Sequence, residues 1–280
     1  MRIAVGVHGR SPCRQRRGAH AAKMAADTEE RERRHVDERL IEELAPHGRL
    51  RAGLNMSNFL LVTGGTAGGE PEGVSPDIAR AVADALGVPL ELVPFDGPGD
   101  VADAAGSDVW DIANIAAEPE RAKHIDFSPA YCEIQATCLL PAGSPYGSFA
   151  ELDEPGIRIA VKARSAYDLW LTEHLRHATL VREPSIDDSY ERFVADGLEA
   201  LAGLRPKLVD QHATLPGSVL LDESFTAVQQ SIGCRAGRPA AAAFLRAFVE
   251  RAIASGTVRS LIEKHGVEGR LSVPEATAPY

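Results

Sequence analysis

No run of 18 apolar residues occurs in the 280-residue sequence, too little for a membrane-spanning helix. Basic residues are in deficit: 30 Lys and Arg stand against 40 Asp and Glu, a net charge of −10. A nucleic-acid binder needs the opposite balance, to neutralise phosphates. Cysteine is scarce. Cys13, Cys132, Cys138 and Cys234 form no CxxC pair and have no histidine at ligand spacing, so they read as buried or incidental thiols rather than a zinc site. Cys132 and Cys138 fall on one face of a strand, too far apart to bridge. There is no GxGxxG opening a helix, no GxSxG and no HExxH. The Gly-rich stretch Gly64–Gly69 lacks the Lys-Ser/Thr of a phosphate loop and reads as a hairpin. The N-terminus lacks one more thing. Met1–Ala26 has the positive charges of an export signal but not its apolar stretch of about 7–15 residues.

What remains is an ordinary globular composition, 44% hydrophobic and 25% charged over 29.9 kDa, enough for two lobes or one large α/β unit. Residues 1–23 carry six positive charges and no acid, while 27–43 carry eight acids and four bases. The second segment reads as a solvated helix ending near Pro46, with Val36, Leu40, Ile41 and Leu44 as a thin apolar stripe. Met24 offers a second start, which would leave 1–23 as upstream sequence. The globular body begins near Gly48.

From there strands and helices alternate. Leu50–Leu54 is a strand. Ser75, Pro76 and Asp77 open a helix whose Ile78, Ala81, Val82, Ala85 and Leu86 keep helical spacing until Gly87. Strands are expected at Val88–Val93, Val109–Ile115, Tyr131–Leu140, Ile157–Lys162, Leu180–Arg182 and Lys207–Asp210. Helices are expected at Asp100–Ala105, after Ser165, at Asp187–Leu201, and twice near the end, before and after Gly256. Residues 269–280 read as a loose tail. The alternation predicts an α/β class with mainly parallel sheets.

The stretch richest in chemistry is WDIANIAAEPERAKHIDFSPAYCEIQATCLLPAG, beginning at Trp110. An apolar strand delivers a polar turn with Pro119 at a helix start and Arg121 one turn on. A guanidinium beside exposed N–H groups at a strand's carboxyl end is a ready clamp for a carboxylate. A solvated or salt-bridged Arg121 is the alternative on spacing alone.

Four segments then carry a family resemblance: LRAGLN, GVSPDIARAVADALGVPLELVPF, DIANIAAEPERAKHIDFSPAY and GIRIAVKARSAYDLWL. With AFLRAFVERAIASGTVRSLIEKHGV near the end, they resemble the family 3 extracellular solute-binding proteins, the amino-acid receptors of ABC importers. The resemblance spans about 50–268. It implies a two-lobed type 2 periplasmic-binding fold with two crossover strands, near Cys138–Ala142 and Asp222–Ala227, and a ligand cleft between the lobes. Lobe one would be 48–137 plus 226–268, and lobe two 138–225.

By the same resemblance Arg121 grips the ligand carboxylate, and Ser165 completes the grip at a helix start. Asp210 pairs with the ligand ammonium, helped by the Ala116 carbonyl. Asn55 and Phe59 fall in the first-loop region, where the family places an aromatic wall. Several positions depart from the family pattern. Glu118 replaces a common threonine, Ala116 a serine or threonine, and Lys162 and Arg164 small polar residues and glycine. A cationic ligand group could meet Glu118, and an extra anionic group Lys162 or Arg164. Glu118 as an intra-loop partner of Arg121 is the plainer reading.

The implied partners are a small-molecule ligand, an amino acid or another small carboxylate, and an ABC permease. No nucleic acid, membrane insertion, metal or cofactor is expected, and the protein is expected to be a monomer. The resemblance implies a periplasmic location, whereas the sequence as written carries no export signal. Two other readings share the fold: an acid-catalysed elimination like that of cyclohexadienyl dehydratases, using Glu118, Glu133 or Asp210, and a cytoplasmic sensor using the acidic helix as partner surface.

Overall fold

In the computed structural model of the chain, residues 38–274 are described. The basic stretch 1–23, Met24, Cys13, Val36 and much of the acidic segment lie outside them. The described part of that segment is helix α1, 38–44. Its end is docked rather than solvated all round: Leu44 is fully buried, and Glu43 Oε2 accepts the Ala241 N–H at 2.9 Å.

Strand β1 (Leu50–Asn55) is buried along nearly its whole length, as a parallel strand covered on both faces must be. The Gly-rich stretch does form a small hairpin, β2 (Gly64–Gly65) with β3 (Pro71–Glu72). Helix α2 (Val74–Leu86) is capped by Gly73, not Ser75. Gly73 sits at φ 149°, and a Cβ there would lie 2.2 Å from the Leu61 carbonyl oxygen, so glycine is required. Next come β4 (Leu90–Phe95), α3 (Pro98–Asp103), β5 (Ile112–Ala116), β6 (Ile125–Phe127) and β7 (Cys132–Leu140). Then follow β8 (Arg158–Lys162), α4 (Ala166–His174), β9 (Thr179–Glu183) and α5 (Ile186–Ala195). The rest is β10 (Ala200–Leu204), α6 (Arg205–Thr214), β11 (Val219–Leu220), β12 (Thr226–Arg235), α7 (Pro239–Ala254) and α8 (Thr257–Lys264).

Three further expectations change. Asp187–Leu201 is not one helix, because α5 stops at Ala195, Gly197 turns at φ 56°, and the run Ala200–Leu204 is a fully buried strand. Lys207–Asp210 is not a strand but the middle of α6, whose first turn holds Pro206. Residues 270–274 are not loose: Ser272 and Glu133 exchange both backbone hydrogen bonds, at 2.8 and 3.0 Å.

Apart from the hairpin, the strands form one ten-stranded sheet whose main path runs β4-β1-β5-β12-β7-β10-β8-β9. β4, β1 and β5 are parallel, as are β10, β8 and β9. The antiparallel pair β12 and β7 joins these halves. β7 pairs with β12 from Cys132 to Ala136 and with β10 from Ala136 to Leu139. β12 pairs with β7 from Thr226 to Gln230 and with β5 from Gln230 to Cys234. Each changes partner midway, which makes a two-lobed α/β fold with two crossover strands.

The core behind the first half-sheet includes one charged pair. Asp111 is completely buried and accepts hydrogen bonds from Arg51 N, Nε and Nη2 at 2.9, 3.0 and 2.8 Å. Nearby, fully buried Trp110 packs with Val101, Ile115 and Ile125, and its indole N–H donates to the Val101 carbonyl at 3.0 Å. Cys132, Cys138 and Cys234 are buried and free.

Candidate functional site

Asn55, Ala116, Lys162 and Leu204 are the last residues of β1, β5, β8 and β10, and all four line one cleft whose cavity volume is about 40 Å³. Open parallel sheets place ligands at these carboxyl ends. Five residues singled out from the sequence meet here: Asn55, Ala116, Arg121, Lys162 and Ser165.

Arg121 follows β5 in a 3₁₀ turn and is only 5% exposed. Its Nη1 donates to the Ala116 carbonyl at 2.9 Å and its Nη2 to the Arg164 carbonyl at 3.1 Å. Two of its five N–H donors are thus in use. Burial lowers its pKa to about 10, partly countered by the charge of Glu118, so the guanidinium stays protonated at neutral pH. The Ala116 carbonyl, expected to receive a ligand ammonium, already receives Arg121.

Ser165 caps α4, its Oγ accepting the Asp168 N–H at 3.1 Å. Ala166 and Tyr167, in the first turn, also line the cleft, and first-turn N–H groups have no intrahelical acceptor. Lys162 is 6% exposed and reaches across the cleft to Ser57 Oγ at 2.5 Å. Burial lowers its pKa.

The remaining candidates lie outside the lining. Arg164 turns away at φ 61°, the one described non-glycine residue with positive φ. Asp168 Oδ2 holds that turn by accepting the Arg164 N–H at 2.7 Å. The Arg164 side chain reaches α3 instead, meeting the Gly99 carbonyl at 3.0 Å, Asp103 Oδ1 at 2.6 Å and Asp100 Oδ1 at 3.6 Å. A Cβ on Gly99 would come within 2.6 Å of this guanidinium, which would have to shift to make room.

Glu118 is partly buried beside Arg121 rather than facing the cleft. Burial pushes its pKa up to about 7 and nearby Glu173 adds to this, while Arg121 opposes it. Asp210 does not face the cleft either. It lies exposed on α6, paired with Arg270 at 2.9 Å. Phe59 packs against the core, and the same Arg270 sits 5.6 Å over its ring, so it is no cleft wall. Glu133 is engaged by the Gln229 side-chain amide at 2.8 Å.

Residues that the sequence reasoning missed complete the cleft, chiefly Ser57, Asn58, Tyr167, Ile186, Val228 and Gln230. Asn58 and Ser57 follow a picked residue closely, whereas Gln230 and Val228 arrive on β12, which carried no local signal. Among the described residues that line the cleft, none is acidic. Among the described residues, no cluster of three or more His, Cys, Asp or Glu is placed to hold a metal, and no helix is long and apolar enough to cross a membrane.

Residues 58–268 match the bacterial extracellular solute-binding proteins, family 3, and the chain belongs to that family. Solved structures share its fold. A mutant of ArgBP from T. maritima is 21% identical with a TM-score of 0.66, over 82% of this chain and 100% of that one. The ancestral amino-acid-binding protein AncCDT-1, a precursor of cyclohexadienyl dehydratase, is 24% identical with a TM-score of 0.65, over 80% and 98%. A putative binding component of an ABC transporter from Wolinella succinogenes, complexed with lysine, is 21% identical with a TM-score of 0.65, over 78% and 95%. No curated protein matches the sequence.

Proposed function

We propose that this protein captures a small carboxylate-bearing polar solute, an amino acid or a related acid, and hands it to an ABC-type importer as a monomer. The carrying observation is Arg121: a buried, protonated guanidinium at the carboxyl end of β5, with N–H donors to spare and the first turn of α4 lining the same cleft. Membership of family 3 supports the role, and the lysine complex of the Wolinella protein supports the ligand size. The change of partner along β7 and β12 supports lobes of 48–137 plus 226–268 and 138–225, with closure as a hinge motion about the two crossovers.

The elimination reading needs a carboxylic acid in the cleft to donate a proton. Glu118, Glu133 and Asp210, its three candidates, all lie outside the lining. The test is a thermal-shift screen with amino acids, polyamines and small acids. A true ligand at 100 times its Kd stabilises the fold by about 2.7 kcal/mol. Arg121→Ala should then weaken that ligand by about 1.5–3 kcal/mol, as for a hydrogen bond to a charged group. Unchanged affinity would refute the clamp, and the absence of any shift would refute the binding role.

A further inference from the structure

We propose that the ligand of this cleft is a doubly anionic small acid, a dicarboxylate without an amine, held by Arg121 and Lys162 together. The inference rests on the solute-binding reading above and narrows it.

Charge is the first reason. Two cationic side chains, each at least nine-tenths buried, line the cleft, and no acidic side chain does among the described residues. The carboxylates nearest to them, Asp100 by Lys162 and Glu118 by Arg121, stand off the cleft lining. Asp100 is half exposed and faces Arg164, and Glu118 lies outside the lining beside Arg121. Asp100 attracts Lys162 from outside the lining and Arg121 repels it from within, so the cleft itself holds two like charges and no carboxylate. One carboxylate on the ligand offsets one of the two charges. Two carboxylates offset both.

The second reason is the supply of acceptors. An α-amino acid brings an ammonium with three N–H donors, and burying it without a counter-charge costs several kcal/mol. The Ala116 carbonyl already accepts from Arg121, and the other polar lining groups, Gln230, Ser165 and Tyr167, are neutral and supply no counter-charge. Asn55 Oδ1 accepts the Ser57 N–H and hydroxyl at 3.2 and 2.7 Å, and Asn58 Oδ1 caps Leu60 at 3.3 Å. Donors, by contrast, are in surplus. Lys162 spends one N–H on Ser57, and Arg121 keeps three. Ile186, Leu204 and Val228 supply the apolar wall that a short carbon chain needs.

Isothermal titration of the full chain with malonate, succinate, glutarate, adipate, L-glutamate, L-arginine, L-lysine and inorganic phosphate tests this. At least one dicarboxylate should bind tenfold or more tighter than every amino acid and than phosphate. Lys162→Gln should weaken that dicarboxylate at least tenfold while changing the matching monocarboxylate less than threefold. Lys162→Met, closer in shape to the buried side chain, gives the same comparison should the glutamine variant fold poorly. Tighter binding of an amino acid than of every dicarboxylate overturns the inference and leaves the solute-binding role standing. Tighter binding of phosphate overturns the carboxylate assignment. Equal losses for the mono- and dicarboxylate show that Lys162 does not read the second charge. Silence across the whole panel, with no shift in the wider thermal screen, overturns the binding role itself.

Discussion

Arg164 ties the lobes together without any ligand, and its removal has a calculable consequence. Its guanidinium leaves the loop before α4 and meets the Gly99 carbonyl, Asp103 and Asp100 on α3. The side chains are 52%, 68% and 53% exposed for Arg164, Asp103 and Asp100. Exposed ion pairs contribute about 0.2–1 kcal/mol each, so the two with Asp103 and Asp100 favour closure by roughly 0.4–2 kcal/mol, a factor of about 2–30 in the closed-to-open ratio. Arg164 also sits at φ 61°, which costs a non-glycine residue about 1 kcal/mol. That strain is local to the loop and is present whether the lobes are apart or together.

Two variants therefore separate the effects. Arg164→Ala loses the bridge and keeps the strain, so it opens the lobes and lowers Tm by a few degrees, at about 2–4 °C per kcal/mol for a chain near this size. Arg164→Gly opens the lobes equally but relieves the strain, so its Tm stays close to wild type. Spin labels on α3 and α4, read as an inter-lobe distance distribution, measure closure directly. Because the bridge is exposed, 1 M salt should shift the wild type toward the variants and leave the variants unmoved. If Arg164→Ala keeps the wild-type distance distribution and its salt response, the bridge does not hold the lobes. Ligand affinity should fall by the same factor as the closed fraction, since only that fraction is competent to hold the solute.

Two further outcomes follow from the charged groups. The fold raises the Glu118 pKa from an ordinary 4.5 to about 7, so the native state binds this proton more readily than the unfolded chain. Its contribution to stability is full below about pH 4.5 and is lost as pH rises through 7. Urea midpoints at pH 5 and pH 8 should therefore differ less in Glu118→Gln than in wild type, and an unchanged difference would contradict the assignment. Arg51→Ala strips Asp111 of its buried counter-charge and should cost about 3–5 kcal/mol in urea unfolding, whereas the paired replacement Arg51→Met with Asp111→Leu should cost far less. Equal losses would mean the charge is not what matters there.

Much of the first half was legible in the residues. Helix α2 could be read because Ile78, Ala81, Val82, Ala85 and Leu86 keep helical spacing up to Gly87, and β1 could be read at Leu50–Leu54 despite Arg51 within it. The second half misled at one place. ALAGL is small and apolar on both faces, so it prolonged the preceding helical pattern on paper, although Gly197 breaks the chain just before it. The following helix reads as a strand in the sequence, and Asp210, carried into the site by the family resemblance, lies on that helix paired with Arg270 on the surface. The first turn of α6 holds Pro206, a helix-start signal that could have corrected it. Arg121 and Ser165 were legible because each sits beside a local landmark, a strand end and a helix cap. Gln230 and Val228 were not, because their place in the cleft exists only once β12 has crossed beside β5 and β7. The acid-free lining could not be read from a sequence rich in Asp and Glu, since it depends on where three carboxylates do not point.

The placing of β12 also bears on how the chain is made. Its partner β5 leaves the ribosome early, yet β12 follows only after every strand from β6 to β11 has been synthesised. At about 5–20 residues per second the wait is on the order of ten seconds. Throughout it the β5 edge, buried in the finished molecule, has no neighbour on that side, and an unpaired hydrophobic edge invites association with other chains. The first lobe therefore cannot mature ahead of the second. Nascent chains should stay protease-sensitive and chaperone-bound until residues near 235 have emerged, and should then become resistant in a single step.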